Sequence, residues 1–246
     1  MNLVILAAGK SSRVFEKIKT HKALIKINER TLIEKIIDDA FLHNIKKVFI
    51  VVGFYKEKIK HELKNKNVFF IENKFFNSRD MLYSMYLGLK HSKDDTIFCY
   101  SDIYFNNNIF KFFLKNKNNI FLPVLKNWKK IWKIRKKNYY EDAETLNFDK
   151  RKRLLEIGNK IKDIKCVKGQ YMGLFFINKK IINKIILFYK KLKTNSMHIT
   201  TFLNLISPFY FIKCKEVREF WYEFDDYEDI RNFRKKFVQY KKNISL

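Results

Sequence analysis

Short apolar runs alternate with amphipathic helical patterns through the first part of the chain, and this alternation is the feature that most constrains the fold. The apolar runs, each of strand length, are residues 2–6, 47–52, 68–71 and 96–100. The segments with apolar residues at helical spacing are residues 31–41, 56–63 and 81–89. Strands that alternate with helices build βαβ units around a mostly parallel sheet. We therefore predict an α/β fold with a doubly wound, Rossmann-like sheet.

The pattern changes in the second half of the chain, where strand-like runs become more frequent. These runs are residues 132–135, 145–148, 169–177, 210–213 and 221–224. The last two runs are predicted to form a strand pair. Helical patterns return at residues 178–192 and 199–206, and a polar helix closes the chain. Because no linker rich in Gly, Pro or Ser interrupts the chain, we predict one domain of residues 1–246 with a small antiparallel insertion at roughly residues 126–168.

The chain is strongly basic, with 52 Lys and Arg against 25 Asp and Glu and a formal net charge of +27. Such a charge favours nucleic acid as a partner, because contacts to phosphates dominate the affinity of proteins for DNA and RNA. The lysines, however, are spread along the whole chain, and no helix-turn-helix, zinc-finger or RNP signature accompanies them. We expect no nucleic-acid partner, and a basic nucleic-acid-binding module stays the alternative from another class. The positive field would also attract anionic nucleotides.

Cysteine usage and hydropathy indicate a cytoplasmic protein. The three cysteines are far apart without a CxxC spacing, and the five histidines form no zinc signature. No stretch approaches the roughly 18 apolar residues of a membrane span. The apolar start of the chain, residues 1–9, lacks the basic region of a signal peptide. These features argue for a reducing cytoplasm and against a structural metal, and they leave the oligomeric state open.

The strongest motif is a run of small residues directly after the first strand, LAAGKSSR at residues 6–13, which is followed by Lys22. Small side chains allow backbone N–H groups to approach a nucleotide closely. Arg13 can bind phosphate oxygens through its forked guanidinium, and Lys22 adds a mobile positive charge. The alternative is an ordinary turn with surface cations. A Walker A loop is excluded, since Val4 stands where its first glycine is required.

Further motifs follow this loop in a fixed order along nearly the whole chain. They lie at residues 73–76 with Ser84, 101–105, 140–146, 156–158, 169–174 and 221–226. Together with the loop, these motifs resemble the sugar-phosphate nucleotidyltransferase superfamily and, within it, the phosphocholine and 2-aminoethylphosphonate cytidylyltransferases. Each motif alone is weak, but their order is specific. The departures are Ser11, where many members have glycine, Asp80 and Met81, where the phosphonate enzymes have asparagine, and Thr201, where some relatives have an acidic residue.

The resemblance implies a magnesium-dependent cytidylyltransferase of surface polysaccharide or phosphonate biosynthesis. Such an enzyme transfers CMP from CTP to a small amine-bearing phosphate or phosphonate and releases pyrophosphate. Phosphocholine, 2-aminoethylphosphonate and a phosphorylated amino acid such as phosphoglutamine all remain open as acceptors. The enzymatic alternative is a sugar-1-phosphate nucleotidyltransferase that uses UTP or another nucleotide.

The resemblance also implies roles for individual residues. Arg13 and Lys22 become the catalytic cations, and Asp102 and Asp225 become the magnesium ligands. The implied nucleotide-binding residues are Leu6, Ala7, Ala8, Gly9, Arg13, Lys22, Asp80, Ser84 and Asp102. Asp102 comes directly after an apolar strand, where a parallel sheet places its ligands. Without the resemblance, either aspartate would more often be a turn residue or a helix cap, and a helix cap is the role we expect for Asp226.

An acidic run at residues 141–144 is unusual in so basic a chain. Carboxylates and aromatic rings are two ways to hold an ammonium group, and we therefore expect an amine-bearing acceptor. Its predicted contacts are Glu141, Asp142, Glu144, Tyr171 and Glu223. The alternative is that the acids balance Lys136 and Lys137 on a surface β-ribbon. Core packing is the alternative for the aromatic residues Trp128, Trp132, Tyr171 and Trp221.

Overall fold

A computed structural model of the chain describes residues 1–135, 139–164, 167–192 and 196–242, without the side chains of residues 139, 141 and 237–242. Its strands are β1 (Asn2–Ala7), β2 (Lys26–Ile27), β3 (Arg30–Thr31), β4 (Lys47–Val52), β5 (Phe69–Glu72), β6 (Thr96–Tyr100), β7 (Ile103–Phe105), β8 (Ile120–Leu125), β9 (Glu144–Phe148), β10 (Leu154–Lys160), β11 (Gln170–Tyr171), β12 (Leu174–Ile177), β13 (Ile212–Val217) and β14 (Trp221–Glu223). Its α-helices are α1 (Ser12–Ile18), α2 (Leu32–Leu42), α3 (Lys56–Glu62), α4 (Met81–Ser92), α5 (Ile109–Leu114), α6 (Trp128–Arg135), α7 (Tyr139–Asp142), α8 (Ile182–Lys191), α9 (Ile199–Ile206) and α10 (Tyr227–Lys242).

The central sheet is mostly parallel. Its strands run in the order β5-β4-β1-β6-β12-β8, and β11 and β13 also pair with β8. β1 is parallel to both β4 and β6, β4 is parallel to β5, and β8 is parallel to β13. β12 runs antiparallel to β6 and β8, and the short β11 runs antiparallel to β8.

Both faces of this sheet are buried, as strands that are apolar along their whole length predict. Along β1, Leu3 and Ile5 belong to one hydrophobic core, whereas Val4 and Leu6 belong to the other. Helix α2 contributes to the first core and helix α4 to the second. α4 packs so closely that a Cβ at Gly88 would come within 2.6 Å of the Val4 side chain. Helices on both faces of a mostly parallel sheet confirm the predicted doubly wound α/β fold.

Two predictions for the second half of the chain are wrong. Residues 132–135, predicted as a strand, form the end of α6, because one face of that helix is buried. The buried residues of that face are Trp128, Ile131, Trp132 and Arg135. The predicted pairing of the runs 210–213 and 221–224 is also absent among the described strands. β13 pairs instead with β8 in the central sheet, and β14 pairs with β7.

Residues 126–168, the predicted antiparallel insertion, contain α6, α7 and the antiparallel pair of β9 and β10. The predicted small antiparallel element is thus present, while its extent and the single-domain organisation stay predictions. At the start of α10, Asp226 accepts a hydrogen bond from the N–H of Asp229 at 3.0 Å, which is the helix cap that we expected. Among the described helices, none combines the length and the apolar character that crossing a membrane requires.

Candidate active site

The loop after β1 has an unusual backbone conformation at its centre. Ser11 has a φ of 55°, in the left-handed region that favours glycine, and glycine is the residue that the resemblance leads us to expect at this position. The Oγ of Ser11 accepts a hydrogen bond from the N–H of Lys22 at 3.2 Å. A Cβ at Gly9 would meet nothing within 4 Å. The loop is therefore fixed to the segment that carries Lys22 and leaves open space at Gly9.

His21 is a second link between the loop and Lys22, and the sequence does not indicate it. Its Nδ1 accepts a hydrogen bond from the N–H of Ala23 at 3.1 Å, so its Nε2 carries the proton that is donated to the carbonyl of Gly9 at 2.9 Å. Burial lowers the pKa of His21, and this favours the neutral ring that such an arrangement needs. A lone histidine beside a lysine gives no signal in the sequence for this role.

A cavity of about 210 Å³ opens between the loop and the start of α4. Its lining residues are Leu6, Ala8, Gly9, Asn73, Phe76, Arg79, Asp80, Met81, Ser84 and His198. Five predicted nucleotide contacts lie in this set, whereas Ala7 is buried in the hydrophobic core that also contains Leu3 and Ile5. The Nδ2 of Asn73 donates a hydrogen bond to the Oγ of Ser84 at 3.0 Å, and Asp80 accepts one from the hydroxyl of Ser196 at 2.9 Å. The structure thus brings together motifs that lie far apart in the sequence.

A larger cavity of about 390 Å³ shares Met81 and His198 with the smaller one. Its lining residues are Arg13, Lys22, Met81, Tyr100, Asp102, Trp132, Asp142, Glu144, Gln170, Tyr171, Gly173, His198, Thr200, Glu223 and Asp225. This set includes every residue predicted to serve catalysis, metal binding or acceptor binding except Glu141, whose side chain lies outside the described residues. The predicted site residues therefore meet around two adjoining cavities.

The pairing of β7 with β14 brings the two predicted metal ligands together. β14 runs antiparallel to β7 with Glu223 opposite Ile103, and the N–H of Phe224 donates to the carbonyl of Asp102 at 2.9 Å. Asp102 consequently lies across from the segment that carries Glu223 and Asp225. Oxygen atoms of these three carboxylates lie within 4.8 Å of one another. Glu223, predicted as an acceptor contact, thus joins the predicted metal pair.

Two cations from the N-terminal segment face these carboxylates. The Nζ of Lys22 lies 3.2 Å from Asp102 and 3.0 Å from Asp225, and a guanidinium nitrogen of Arg13 lies 3.1 Å from Asp225. Burial disfavours the charge on Lys22, but the carboxylates of Asp102 and Asp225 outweigh burial and raise the pKa of its ammonium group. Burial also acts against the charge on Asp225, yet Lys22 and the neighbouring arginines lower its pKa to about 2. Lys22 and Asp225 are therefore both charged at neutral pH.

A third cation, Arg135 at the end of α6, lies behind the carboxylates and is fully buried. Its Nη2 lies 3.0 Å from Asp225, and its Nη1 lies 3.3 Å from Glu223. Burial and the charge of Asp225 raise the pKa of Glu223 well above its usual range, against the opposing attraction of Arg135. The sequence predictions do not include Arg135. The signal that could have identified it is its place seven residues after Trp128, on the apolar face of a helix.

The opposite side of the larger cavity carries the predicted acceptor contacts. Asp142 ends α7, and Glu144 begins β9. The side chain of Gln170 holds the backbone of Glu144 from both sides, since it accepts from the N–H at 3.1 Å and donates to the carbonyl. The ring of Tyr171 packs edge-on against Tyr100 with 5.7 Å between the ring centroids. This side of the cavity therefore combines acidic and aromatic groups on a backbone that is held in place.

The sequence leaves two alternatives for these residues, namely a surface β-ribbon for the acidic run and core packing for the aromatic residues. The acidic run crosses from a short helix into β9 and is not simply a β-ribbon, while Lys136 and Lys137 lie outside the described residues. Core packing is confirmed for Trp128 and Trp221, which are buried and do not line the cavity. Trp132 lines the cavity and also stacks on Trp221, with 5.5 Å between the ring centroids.

Comparisons with known proteins show the family and the fold of the chain. The MobA-like NTP transferase domain matches residues 3–159, which include the loop, Lys22 and Asp102. The CTP:phosphoglutamine cytidylyltransferase of Campylobacter jejuni is 28% identical over 251 residues, which cover 94% of this chain and 98% of that protein. The choline-phosphate cytidylyltransferase of Streptococcus pneumoniae is 30% identical over 112 residues, 45% of this chain and 48% of that protein.

The fold is shared with a solved structure of CTP:phosphocholine cytidylyltransferase from Streptococcus pneumoniae. The TM-score is 0.74 at 19% sequence identity, and the similarity covers 96% of this chain and 98% of that one. The predicted resemblance to nucleotidyltransferases, and to cytidylyltransferases among them, is confirmed by these relatives. Since the family match spans more than half of the sequence, the chain belongs to the family of MobA-like NTP transferase domains.

Proposed function

We propose that the protein is a magnesium-dependent cytidylyltransferase that transfers CMP from CTP to a small amine-bearing phosphate or phosphonate. The observation that carries the proposal is the contact of Lys22 with both Asp102 and Asp225, at 3.2 and 3.0 Å, next to the loop of residues 6–13. A cation suited to phosphate thus meets two carboxylates suited to a metal. The Campylobacter jejuni relative, a CTP:phosphoglutamine cytidylyltransferase that matches nearly the whole chain, supports CTP as the nucleotide.

The smaller cavity is the proposed site of the cytosine base. The small side chains of the loop at Ala8 and Gly9 allow backbone groups to approach a planar base closely. Asp80 and Ser84, at the start of α4, supply polar atoms along the same cavity. Arg13 and Lys22 line the larger cavity, where they are proposed to bind the triphosphate. A guanidinium can contact two phosphate oxygens at once, whereas the lysine acts as a point charge.

Asp102, Glu223 and Asp225 fit a magnesium ion. Carboxylate oxygens are the hard ligands that magnesium prefers, and those of these residues lie within 4.8 Å of one another. Bound there with the triphosphate, magnesium would neutralise phosphate charge and help to align the reacting oxygens. Positive charge at this point would favour the ionised form of Glu223, whose pKa is raised by burial. We therefore include Glu223 with the pair of ligands that the sequence predicts.

The proposed reaction is an in-line substitution at the α-phosphorus of CTP. An oxygen of the acceptor phosphate or phosphonate forms the new P–O bond, while the bond from the α-phosphorus to the bridging oxygen of pyrophosphate breaks. Pyrophosphate leaves with the bonding electrons. The attacking oxygen is already anionic, so no side chain needs to act as a nucleophile. Lys22 and Arg13 stabilise the charge on the phosphate oxygens, and binding in adjoining cavities supplies the alignment.

The acidic and aromatic side of the larger cavity is the proposed site of the acceptor amine. Asp142 and Glu144 can pair with an ammonium group, and the rings of Trp132 and Tyr171 can attract it through their π faces. A neutral sugar would instead need amide and hydroxyl donors. The amide of Gln170 is engaged with the backbone of Glu144, so it does not supply a free donor to a sugar.

A pyrophosphate-release screen tests the proposal. Each of the four NTPs is paired with phosphocholine, 2-aminoethylphosphonate, phosphoglutamine and glucose-1-phosphate, and Asp225→Asn serves as the control with strongly reduced activity. We expect release with CTP and an amine-bearing acceptor. A preference for glucose-1-phosphate would indicate the sugar-1-phosphate alternative. Absence of release in every pair, together with salt-dependent binding to polynucleotides, would instead favour the nucleic-acid-binding module. The single domain, the cytoplasmic location and the expected lack of a nucleic-acid partner stay predictions.

A further inference from the structure

The buried guanidinium of Arg135 lies behind the proposed metal ligands and has no part in the mechanism described so far. Its Nη2 lies 3.0 Å from the Oδ2 of Asp225, and its Nη1 lies 3.3 Å from Glu223 and 3.6 Å from Asp142. Its Nε lies 3.4 Å from Asp229, which is also fully buried. Arg135 therefore contacts carboxylates that come from α7, β14, the loop after β14 and α10.

A buried arginine is costly unless its charge is compensated and its geometry is well defined. The surrounding carboxylates compensate the charge, and the planar guanidinium can direct its separate edges at different partners. Its carbon atom Cζ lies 4.9 Å from the centroid of the Trp132 ring, and Trp132 in turn stacks on Trp221. The aromatic pair therefore restricts the orientation of the guanidinium. A lysine would keep the charge but could not reproduce these separate contacts.

Arg135 also acts on the backbone that carries Asp225. One oxygen of Asp229 accepts hydrogen bonds from the N–H groups of Asp225 and Asp226, at 2.8 and 3.2 Å, while its other oxygen faces Arg135. The two oxygens of Asp225 also have different partners. Its Oδ2 faces Arg135, and its Oδ1 faces Lys22. Arg135 thereby fixes which oxygen of Asp225 is turned toward the cavity.

We propose that Arg135 is a positioning residue that orients Asp225 and Glu223 for the metal–nucleotide complex. This inference rests on the proposed magnesium-dependent function. Arg135 is not among the described residues that line the two cavities, so it acts through the carboxylates and does not touch the substrate. Its charge reduces the repulsion among the clustered carboxylates, and its shape sets their direction. Both properties are needed at this position.

The test compares Arg135→Lys and Arg135→Met with Arg231→Met as a matched control. Arg231 pairs with Glu228 on the exposed surface of α10. Binding of Mn²⁺ is followed by EPR at saturating CTP and without acceptor, so that the readout does not require turnover. We expect Arg135→Lys to weaken Mn²⁺ binding by roughly 10- to 100-fold, the range for residues that orient metal ligands. Arg135→Met should weaken it further, and Arg231→Met should bind as the wild type does.

Thermal melting identifies which variants are folded before binding is compared. Equal Mn²⁺ affinity in the wild type and in folded Arg135→Lys would overturn the inference and leave the proposed transfer reaction intact. Loss of folding in both Arg135 variants would also overturn it, because Arg135 would then be a structural residue. If the wild type binds no Mn²⁺ in the presence of CTP, the inference fails together with the metal part of the proposed function. Pyrophosphate release by the wild type reports separately on the transfer reaction itself.

Discussion

The larger cavity has two walls that are built in different ways. The early wall consists of Arg13, Lys22 and Asp102, and the late wall consists of the cavity residues from Trp132 onward. In the early wall, Asp102 follows the end of β6 and Arg13 lies on α1 shortly after β1, while Lys22 is fixed by the hydrogen bond of its N–H to Ser11. In the late wall, residue positions depend on the pairing of two strands distant in sequence, β7 and β14, and on the buried charge of Arg135. The backbone therefore determines the position of the early wall. The position of the late wall also depends on contacts between buried charged side chains.

The largest loss of activity is expected from a substitution of Asp225, which lies where the two walls meet. Asp225→Asn removes the charge that contacts Lys22, Arg13 and Arg135. We expect kcat to fall by at least roughly 100-fold, the scale of losing one key electrostatic element. Asp226→Asn is the matched control, because asparagine caps a helix about as well as aspartate does. Steady-state pyrophosphate release measures both variants, and similar rates in the two would remove Asp225 from the site.

A somewhat smaller loss of activity is expected from substitutions in the early wall. Lys22→Met should lower kcat/KM by roughly 100-fold through the loss of a charge at the phosphates. Arg13→Lys should recover only part of the activity that Arg13→Ala loses, since lysine cannot make the forked contact. Lys17→Met, on the exposed part of α1, is the control and should behave as the wild type. If the Arg13 and Lys22 variants melt early but keep wild-type kcat/KM when folded, these residues are structural, and the early wall has no chemical role.

The early wall could be predicted from the sequence because its signals are local. The strands 47–52 and 96–100 have the bounds that their apolar runs predict, and Asp102 follows the second of them. The run of small residues at 6–13 begins in the last residues of β1 and continues directly after it. What the sequence did not show is His21, because its hydrogen bonds to Gly9 and Ala23 depend on the path of the backbone.

The late wall was harder to predict, and the reasons are physical. The run Trp-Lys-Ile-Arg at residues 132–135 alternates apolar and polar side chains, so it fits the period of a strand as well as the end of a short helix. The error concealed Arg135, whose partners Glu223 and Asp225 lie in a distant part of the chain. One sequence does not show which distant charges meet in the fold. The acidic run was identified, but its position next to Gln170 was not.

Substitutions at two glycines test folding stability and nucleotide binding separately. Gly88→Ala, in the packed contact of α4 with Val4, should lower the free energy of unfolding by about 1–3 kcal/mol, the usual cost of overpacking. Gly9→Ala adds a methyl group in open space and should leave the melting temperature nearly unchanged. At the smaller cavity, however, where the cytosine base is proposed to bind, that methyl group would meet the nucleotide. The KM for CTP should then rise at least roughly fivefold, as about 1 kcal/mol of steric conflict requires.

Chemical denaturation and steady-state kinetics of the two variants check this pair. Gly88→Ala should keep the wild-type kcat per folded molecule, because Gly88 lies in the core below the site. An unchanged KM for CTP in Gly9→Ala would show that the nucleotide does not approach the loop.

The smallest effect is expected on the KM for the acceptor, when Glu144 in the late wall is substituted. Glu144 is exposed, and an exposed ion pair contributes only about 0.2–1 kcal/mol. Glu144→Gln should therefore raise the KM for an amine-bearing acceptor by at most roughly fivefold. The KM for ethyl phosphate, which lacks the amine, serves as the control and should not change. An equal rise for both acceptors would mean that Glu144 does not contact the amine.

The central claim is that this site joins CMP to the phosphate or phosphonate of a small amine-bearing acceptor. Phosphorus NMR of the protein with Mg²⁺, CTP and phosphoglutamine, 2-aminoethylphosphonate or phosphocholine in turn tests it most directly. For at least one acceptor, the account predicts two new mutually coupled resonances from a P–O–P linkage, which grow in step with free pyrophosphate. Both signals should be lost with Asp225→Asn and retained with Asp226→Asn. CTP that stays unchanged with every acceptor, or that yields only free CMP, would contradict the account.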